Sequence, residues 1–337
     1  MTDDTALTIT NPILPANLER STVNPAAAYL ASLGSEHSRR TVRSALDTIA
    51  AIMSGAQYDI ERKVWLGGTQ TAQTFPWVAL RSEHTKAIRA ALAGHYKYST
   101  TNKMLSALRG VLQAAYDMDY LTPDEYKKAL NFKEVKGSSN PTGRDISEGE
   151  IIRLIDVCRR DTTAAGARDL AIIGILWTCG LRRAELAALT FADYTADTEA
   201  LVVRHGKGNR ERTVYVTHGA KTALEAWLVW RGTDEGSLFC RIGKRGKGGA
   251  SGKLSGMALS TQAVYIILAK RAKQAGLAKF SPHDFRRTFV GNLLDKGADI
   301  NTVSKLAGHA SVTTTGRYDR RTEDTKRKAA SLLHFPI

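Results

Sequence analysis

Between Phe132 and Ser147 the chain reads FKEVKGSSNPTGRDIS, a polar stretch with Gly, Ser and Pro and no hydrophobic period. A segment with so little to bury cannot run through a core. It therefore cuts the chain into two parts, and the 337 residues suffice for each part to bury a core of its own. We place the linker at 133–145.

The part before it has the spacing of helices. NPAAAYLASLG reads as a short helix ended by Gly34, and SEHSRRTVRSALDTIAAIMSG places Val42, Leu46, Ile49 and Ile52 on one face. SEHTKAIRAALAG, STTNKMLSALRGVLQAAYDM and TPDEYKKAL supply three more. The expectation is an all-helical domain over 23–132, preceded by an extension over 1–22 and interrupted by an unassigned insertion, QYDIERKVWLGGTQTAQTFPW, over 57–77. Arg39, Arg40 and Arg43 cluster near the start of the second helix. Such a cluster suits a solvated face and also suits phosphate contacts.

After the linker, Ser147 and Glu150 form a capping box ahead of an apolar run. ARDLAIIGILWTC reads as a buried helix, Gly180 as its C-cap, and GLRRAELAAL as a restart. EALVVRHGKGNRERTVYV alternates on both sides of HGKGN, as a β-hairpin does. Helical signals return in THGAKTALEAWLVWRG, in STQAVYIILAKRAKQAG and from Pro282 to Leu333. The fold class is thus mainly α with a small antiparallel β-sheet in the C-terminal domain. That second domain is expected over 146–322, with a basic tail helix over 323–337.

Charge narrows the partner. The chain carries a net +15, nearly all of it after Glu134. Such an excess draws polyanions, nucleic acid or an anionic membrane. No basic amphipathic helix with exposed aromatics favours the membrane. LAIIGILW falls short of the ~18–20 apolar residues of a span, and the acidic MTDDTALTIT lacks the order of a secretory signal. Cys158, Cys179 and Cys240 show no CxxC spacing, so neither a disulfide framework nor a zinc site is indicated. A cytoplasmic, nucleoid-associated protein is expected.

The Gly- and Lys-rich GKRGKGGASGKLSGMA invites comparison with a phosphate-binding P-loop. Its spacing fails, because the required first glycine falls on Lys247 and Leu254 follows Lys253. It reads instead as a flexible basic loop, with Lys244, Arg245 and Lys247 as candidate DNA contacts.

Five short segments carry polar residues that an apolar pattern does not need. They are Arg182 and Arg183 after the Gly180 turn, Lys207 in the hairpin tip, His283 with Arg286 in SPHDFRRTF, His309 after Gly308, and Tyr318 in TTTGRY. Each alone fits ordinary surface or cap chemistry, and Glu185 fits a partner that holds an arginine. Together, two arginines, a lysine and two histidines could surround a phosphodiester and stabilise charge on its non-bridging oxygens. A tyrosine beside them could attack phosphorus covalently. With no carboxylate cluster to hold Mg²⁺, guanidinium groups would take the metal's part. No metal and no cofactor are expected.

With these segments in order, the sequence resembles the tyrosine recombinase/integrase family. CGLRRAELAAL resembles its first-arginine motif, which implies Arg182 as that arginine and Glu185 as its acidic support. HGKGNRER resembles the family's hairpin turn and implies Lys207 as general acid. SPHDFRRTF resembles the His-x-x-Arg motif, implying His283 and Arg286, with Arg287 as a neighbouring DNA contact. LAGHASVTTTGRY resembles the segment that carries a histidine and the nucleophile, implying His309 and Tyr318. The resemblance implies a two-domain DNA clamp, a helical core-binding domain plus an α+β catalytic domain. It implies site-specific recombination without metal or ATP, through a 3′-phosphotyrosyl intermediate and a Holliday junction. A homotetramer on duplex DNA follows, with accessory DNA-bending proteins and the tail docking on a neighbouring protomer as further expectations. Type IB topoisomerase-like cleavage and religation, and a non-catalytic DNA-binding regulator on the same fold, are the alternatives.

Overall fold

The computed structural model describes residues 23–137, 143–204, 211–243, 254–309, 311–316, 318, 327 and 331. Two compact units divide the chain, Met1–Asn140 and Pro141–Ile337.

In the first unit, α1 (Pro25–Ser32), α2 (Glu36–Met53), α3 (Ser82–His95), α4 (Tyr98–Asp117) and α5 (Pro123–Ala129) pack around one core. Their starts are chemical. Asn24 caps α1 ahead of Pro25, Ser35 caps α2, and Thr122 with Glu125 closes a capping box on α5. Leu46 and Ile49 of α2 meet Ile88 and Leu92 of α3 and Leu105, Leu108 and Leu112 of α4, all fully buried.

The unit is not all-helical. β1 (Gln57–Asp59) and β2 (Val64–Leu66) pair antiparallel, with Tyr58 opposite Trp65. Both rings close on His95, with centroids 4.0 and 5.0 Å away. Further along the insertion, Trp77 enters a single 3-10 turn, is fully buried, and donates from Nε1 to the Ala72 carbonyl at 2.8 Å. The insertion thus supplies core. Its strands are three residues each, too short for an alternating period to show.

The second unit opens with α6 (Glu148–Arg160), on the expected Ser147–Glu150 capping box, and α7 (Ala164–Cys179). α7 is apolar nearly all round, as a central helix must be. Then come α8 (Arg183–Ala188), β3 (Tyr194–Thr195), β4 (Ala200–Val203), β5 (Arg212–Tyr215) and α9 (His218–Arg231). β3, β4 and β5 form the antiparallel sheet, in which Val203 pairs with Arg212 across the hairpin. A second sheet, absent from the sequence expectation, pairs β6 (Cys240–Ile242) with β7 (Leu254–Ala258). The basic loop joins these strands, and Lys244, Arg245 and Lys247 lie outside the described residues, as does Lys207.

The unit continues with α10 (Thr261–Gln274), α11 (Pro282–Asp295), α12 (Ile300–Ala307) and α13 (Val312–Gly316). Phe289, Val290 and Leu294 of α11 bury against Val303 and Ala307 of α12, and Tyr318 packs on that cluster. The 1–22 extension lies outside the described residues, and of the 323–337 tail only Arg327 and Ser331 lie within them. Among the described residues no helix is long and apolar enough to cross a membrane.

Candidate active site

α7 ends at Gly180, whose φ of 60° turns the chain left-handed, a conformation glycine adopts at little cost. A side chain there would also collide with Phe289, whose Cδ1 lies 2.2 Å from an added Cβ. This turn releases Arg182 as the N-cap of α8. Arg182 Nη1 donates to Glu185 Oε1 at 2.6 Å, and its Nη2 donates to the Gly308 carbonyl at 2.9 Å. The Glu185 carboxylate also accepts from the Arg182 backbone N–H at 2.8 Å.

On α11, Asp284 accepts from the Ser281 N–H and hydroxyl and from the Arg144 N–H, which fixes the start of the helix. His283 and Arg286 follow from that anchor. Arg286 is 2% exposed and donates from Nη1 to the Gly180 carbonyl at 3.0 Å, but its buried Nη2 has no partner among the described residues. Burial first, and the Arg182 charge next, push its pKa down to about 9, with Glu185 pulling the other way. A donor left this way costs about 1–3 kcal/mol unless something arrives to accept from it.

α12 ends on a second left-handed glycine, Gly308, and His309 follows. His309 is half-buried and shares a 2.8 Å hydrogen bond between Nδ1 and Thr315 Oγ1. Withdrawal from water, then Arg286 and Arg182, push its pKa down to about 4. Tyr318 completes the group. Its Oη stands 3.4 Å from His283 Nε2, and its ring lies 6.2 Å from that of His309 and 5.9 Å from the Arg287 guanidinium. The edge of His283 is open to solvent, yet packing against the site and the Arg286 charge lower its pKa.

Arg182, Glu185, His283, Arg286, His309 and Tyr318 are therefore brought together in the second unit. Arg182, Arg183, His283 and Arg286 line an open cavity of about 450 Å³. A larger, apolar cavity of about 580 Å³ lies among α6, α7 and α9 and contains none of these groups. Arg287 borders the site and holds Asp145 at 3.3 Å. Arg39, Arg40 and Arg43 lie on α2 of the first unit. Arg39 donates to Glu36 and to the Leu33 carbonyl, whereas Arg40 and Arg43 are exposed.

One member escaped the sequence reading. Arg212, the first residue of β5, sets both Nη atoms on the Glu185 carboxylate at 3.1 and 2.8 Å and donates from Nε to the Leu306 carbonyl at 2.8 Å. Burial would raise the Glu185 pKa, but Arg212 and the Arg182 backbone outweigh it and the carboxyl sits low. In the sequence Arg212 is one basic residue among several after a hairpin tip, and its partners are 27 and 94 positions away. Only the observation that Glu185 wants an arginine pointed towards it.

Among the described residues, no three His, Cys, Asp or Glu gather as metal ligands would. The donors of the cavity wall are cationic or neutral, and they suit an anion.

Comparison with known proteins agrees with this chemistry. The model of the Phage integrase family matches residues 144–324. Over 277 residues the chain is 30% identical to tyrosine recombinase XerC of Alcanivorax borkumensis, covering 79% of this chain and 82% of that protein. It is 32% identical to tyrosine recombinase XerA of Pyrococcus furiosus over 179 residues, which span 53% of this chain and 58% of that one. In fold it is similar to the Tn1549 transposon integrase solved with transposon right end DNA, with a TM-score of 0.65, 16% identity, and coverage of 92% and 98%. Mainly helical, with small antiparallel sheets and the matched stretch spanning its second unit, this chain belongs to the phage integrase family.

Proposed function

We propose that the protein is a site-specific DNA recombinase that cuts and rejoins duplex DNA through a 3′-phosphotyrosyl intermediate. The observation that carries this is the buried Arg286 Nη2, without a partner among the described residues, in a wall it shares with Arg182 and His283, where the Tyr318 phenol also arrives. A phosphodiester supplies the missing acceptor. Arg182 and Arg286 take its non-bridging oxygens, and the charge that builds there at pentacoordinate phosphorus is met by donors already in place.

His283, neutral near pH 7 because its pKa is lowered, receives the phenol proton as Tyr318 Oη attacks phosphorus. The Tyr–phosphorus bond forms, and the bond to the 5′ oxygen breaks. That oxygen leaves as a hydroxyl after taking a proton from Lys207. His309, held neutral, gives an N–H to the same phosphate when the Thr315 hydroxyl donates to its Nδ1. A 5′-hydroxyl from a second duplex reverses the sequence and releases Tyr318. Phosphodiester energy is conserved throughout, so the reaction calls for no cofactor.

Two such rounds pass through a Holliday junction, with four protomers on two sites, in a complex that accessory DNA-bending proteins could assist. In this reading residues 23–132 and 146–322 both contact the duplex, Arg40 and Arg43 reach phosphates, and the tail docks on a neighbouring protomer. The reading places the protein on the cytoplasmic nucleoid. The basic excess and the DNA-bound state of the similar transposon integrase support the substrate class.

The test is a nicked suicide duplex carrying the cognate site, incubated in EDTA with wild-type and Tyr318→Phe protein and run on denaturing gels. The expected result is a covalent protein–DNA band from wild type only. Tight binding with no band from wild type would overturn the proposal in favour of a non-catalytic regulator.

A further inference from the structure

Arg212 and Arg286 are the same residue type a short distance apart, and they spend their donors in opposite ways. Arg286 keeps one Nη without a partner among the described residues. Arg212 directs every nitrogen at the protein, both Nη atoms at Glu185 and Nε at the Leu306 carbonyl, and its side chain is only 10% exposed. The guanidinium lies directly against the turn after α12, since a Cβ on Gly308 would come within 2.9 Å of its Nη1 and 3.0 Å of its Cζ. Three of its five N–H donors are committed to the protein and little of the side chain reaches solvent, so it is poorly placed to serve a phosphate.

The partners describe a frame. Glu185 is grasped by Arg212 on one side and Arg182 on the other, and both arginines hold carbonyls of the same helix end, Leu306 O and Gly308 O. His309 is the next residue. The carboxylate, the two guanidinium groups and the α12 terminus thus form a closed loop of charge-assisted bonds, which hold geometry more firmly than neutral ones.

We infer that Arg212 is a positioning residue that locks the turn presenting His309 at a fixed distance from Arg182, an inference resting on the recombinase reading above. Its role is angular. An ammonium at this place can reach Glu185 or the Leu306 carbonyl but not both, so charge alone does not replace the fork.

The experiment pairs two readouts on Arg212→Lys and Arg212→Met. In single-turnover cleavage of the suicide duplex, both variants are expected to fall about 100-fold, the usual result of a misplaced catalytic group, with binding to intact duplex unchanged. In NMR titration of the free protein, with His309 assigned by His309→Gln, the His309 ring is expected to titrate at higher pH in both variants, because the turn opens to water. The Lys variant keeps a positive charge beside Glu185 and decides the matter if the Met variant fails to fold. Wild-type cleavage in a folded variant overturns the inference, and so does slowed cleavage with the His309 titration unmoved. A wild-type protein that forms no adduct sinks the recombinase reading instead, and the titration still reports whether Arg212 sets the His309 turn.

Discussion

Two clusters of arginines lie in the second unit, and they are balanced differently. Among α6, α7 and α10, Arg271 (1% exposed) donates to Asp169 at 2.8 Å and to Asp161 at 2.6 Å, while Arg168 donates to Asp169 at 2.8 Å and to the Cys240 carbonyl at 3.3 Å. Two cations meet two anions there. Among the described residues of the candidate active site, Arg182 and Arg212 share the carboxylate of Glu185, whereas Arg286 has no carboxylate bonded to it. The first cluster is finished. On the proposed reading the second is complete only when a phosphate enters, which is what its surplus of positive charge would attract.

Breaking the unbalanced cluster should separate activity from stability. Arg286→Met is expected to slow covalent cleavage by roughly 10²–10³-fold, the loss seen when one donor to a developing oxyanion is removed. It should also raise the melting temperature, because a buried and repelled cation has gone. Cleavage kinetics beside a thermal melt check both halves, and a variant that is less stable would refute the imbalance.

The balanced cluster should answer the other way. Arg271→Met leaves Asp169 and Asp161 short of a partner and should cost about 3 kcal/mol of stability. The surviving folded protein should cleave at the wild-type rate. Urea unfolding measures the first, and the suicide duplex measures the second.

The smallest expected effect is pH dependence. His309 has its pKa lowered from 6.5 to about 4, so between those values the unfolded chain binds a proton that the folded chain refuses. Stability should therefore fall as pH drops through that window and stay flat above it, by on the order of 1 kcal/mol after allowance for its part-exposure. His283 acts in the same direction. Asp161, whose folded pKa is lowered, gives up its contribution only further into acid. Melts from pH 7.5 to 4.5 on wild type and His309→Gln check this, and equal slopes in the two would refute it.

What the sequence could show followed from range. Arg182 with Glu185, and His283 with Arg286, are each three apart on a helix, so their shared face was readable. Lys207 was readable only as a hairpin tip. His309 and Tyr318 were legible as a pair through the family resemblance, but the 3.4 Å approach of Tyr318 to His283 joins residues 35 apart and needs the packing of α11 on α12. Arg212 was hidden because its meaning lies wholly in distant partners. The β1–β2 hairpin and the β6–β7 pair were missed for another reason: strands of three to five residues carry too few alternations to stand out from a turn.

The two left-handed glycines carry a last consequence. Arg286 and Arg182, the arginines assigned to the phosphate, each rest one nitrogen on such a carbonyl, Gly180 and Gly308, at the C-terminal ends of α7 and α12. A helix C-terminus offers a partial negative charge without a net one. It can aim a cation while leaving that cation's full charge to be felt by whatever approaches. Had carboxylates done all of this aiming, the site would carry its own competitor for every phosphate. At Arg182 the Glu185 carboxylate shares the aiming, whereas at Arg286 the Gly180 carbonyl holds the group and leaves its full charge to be felt.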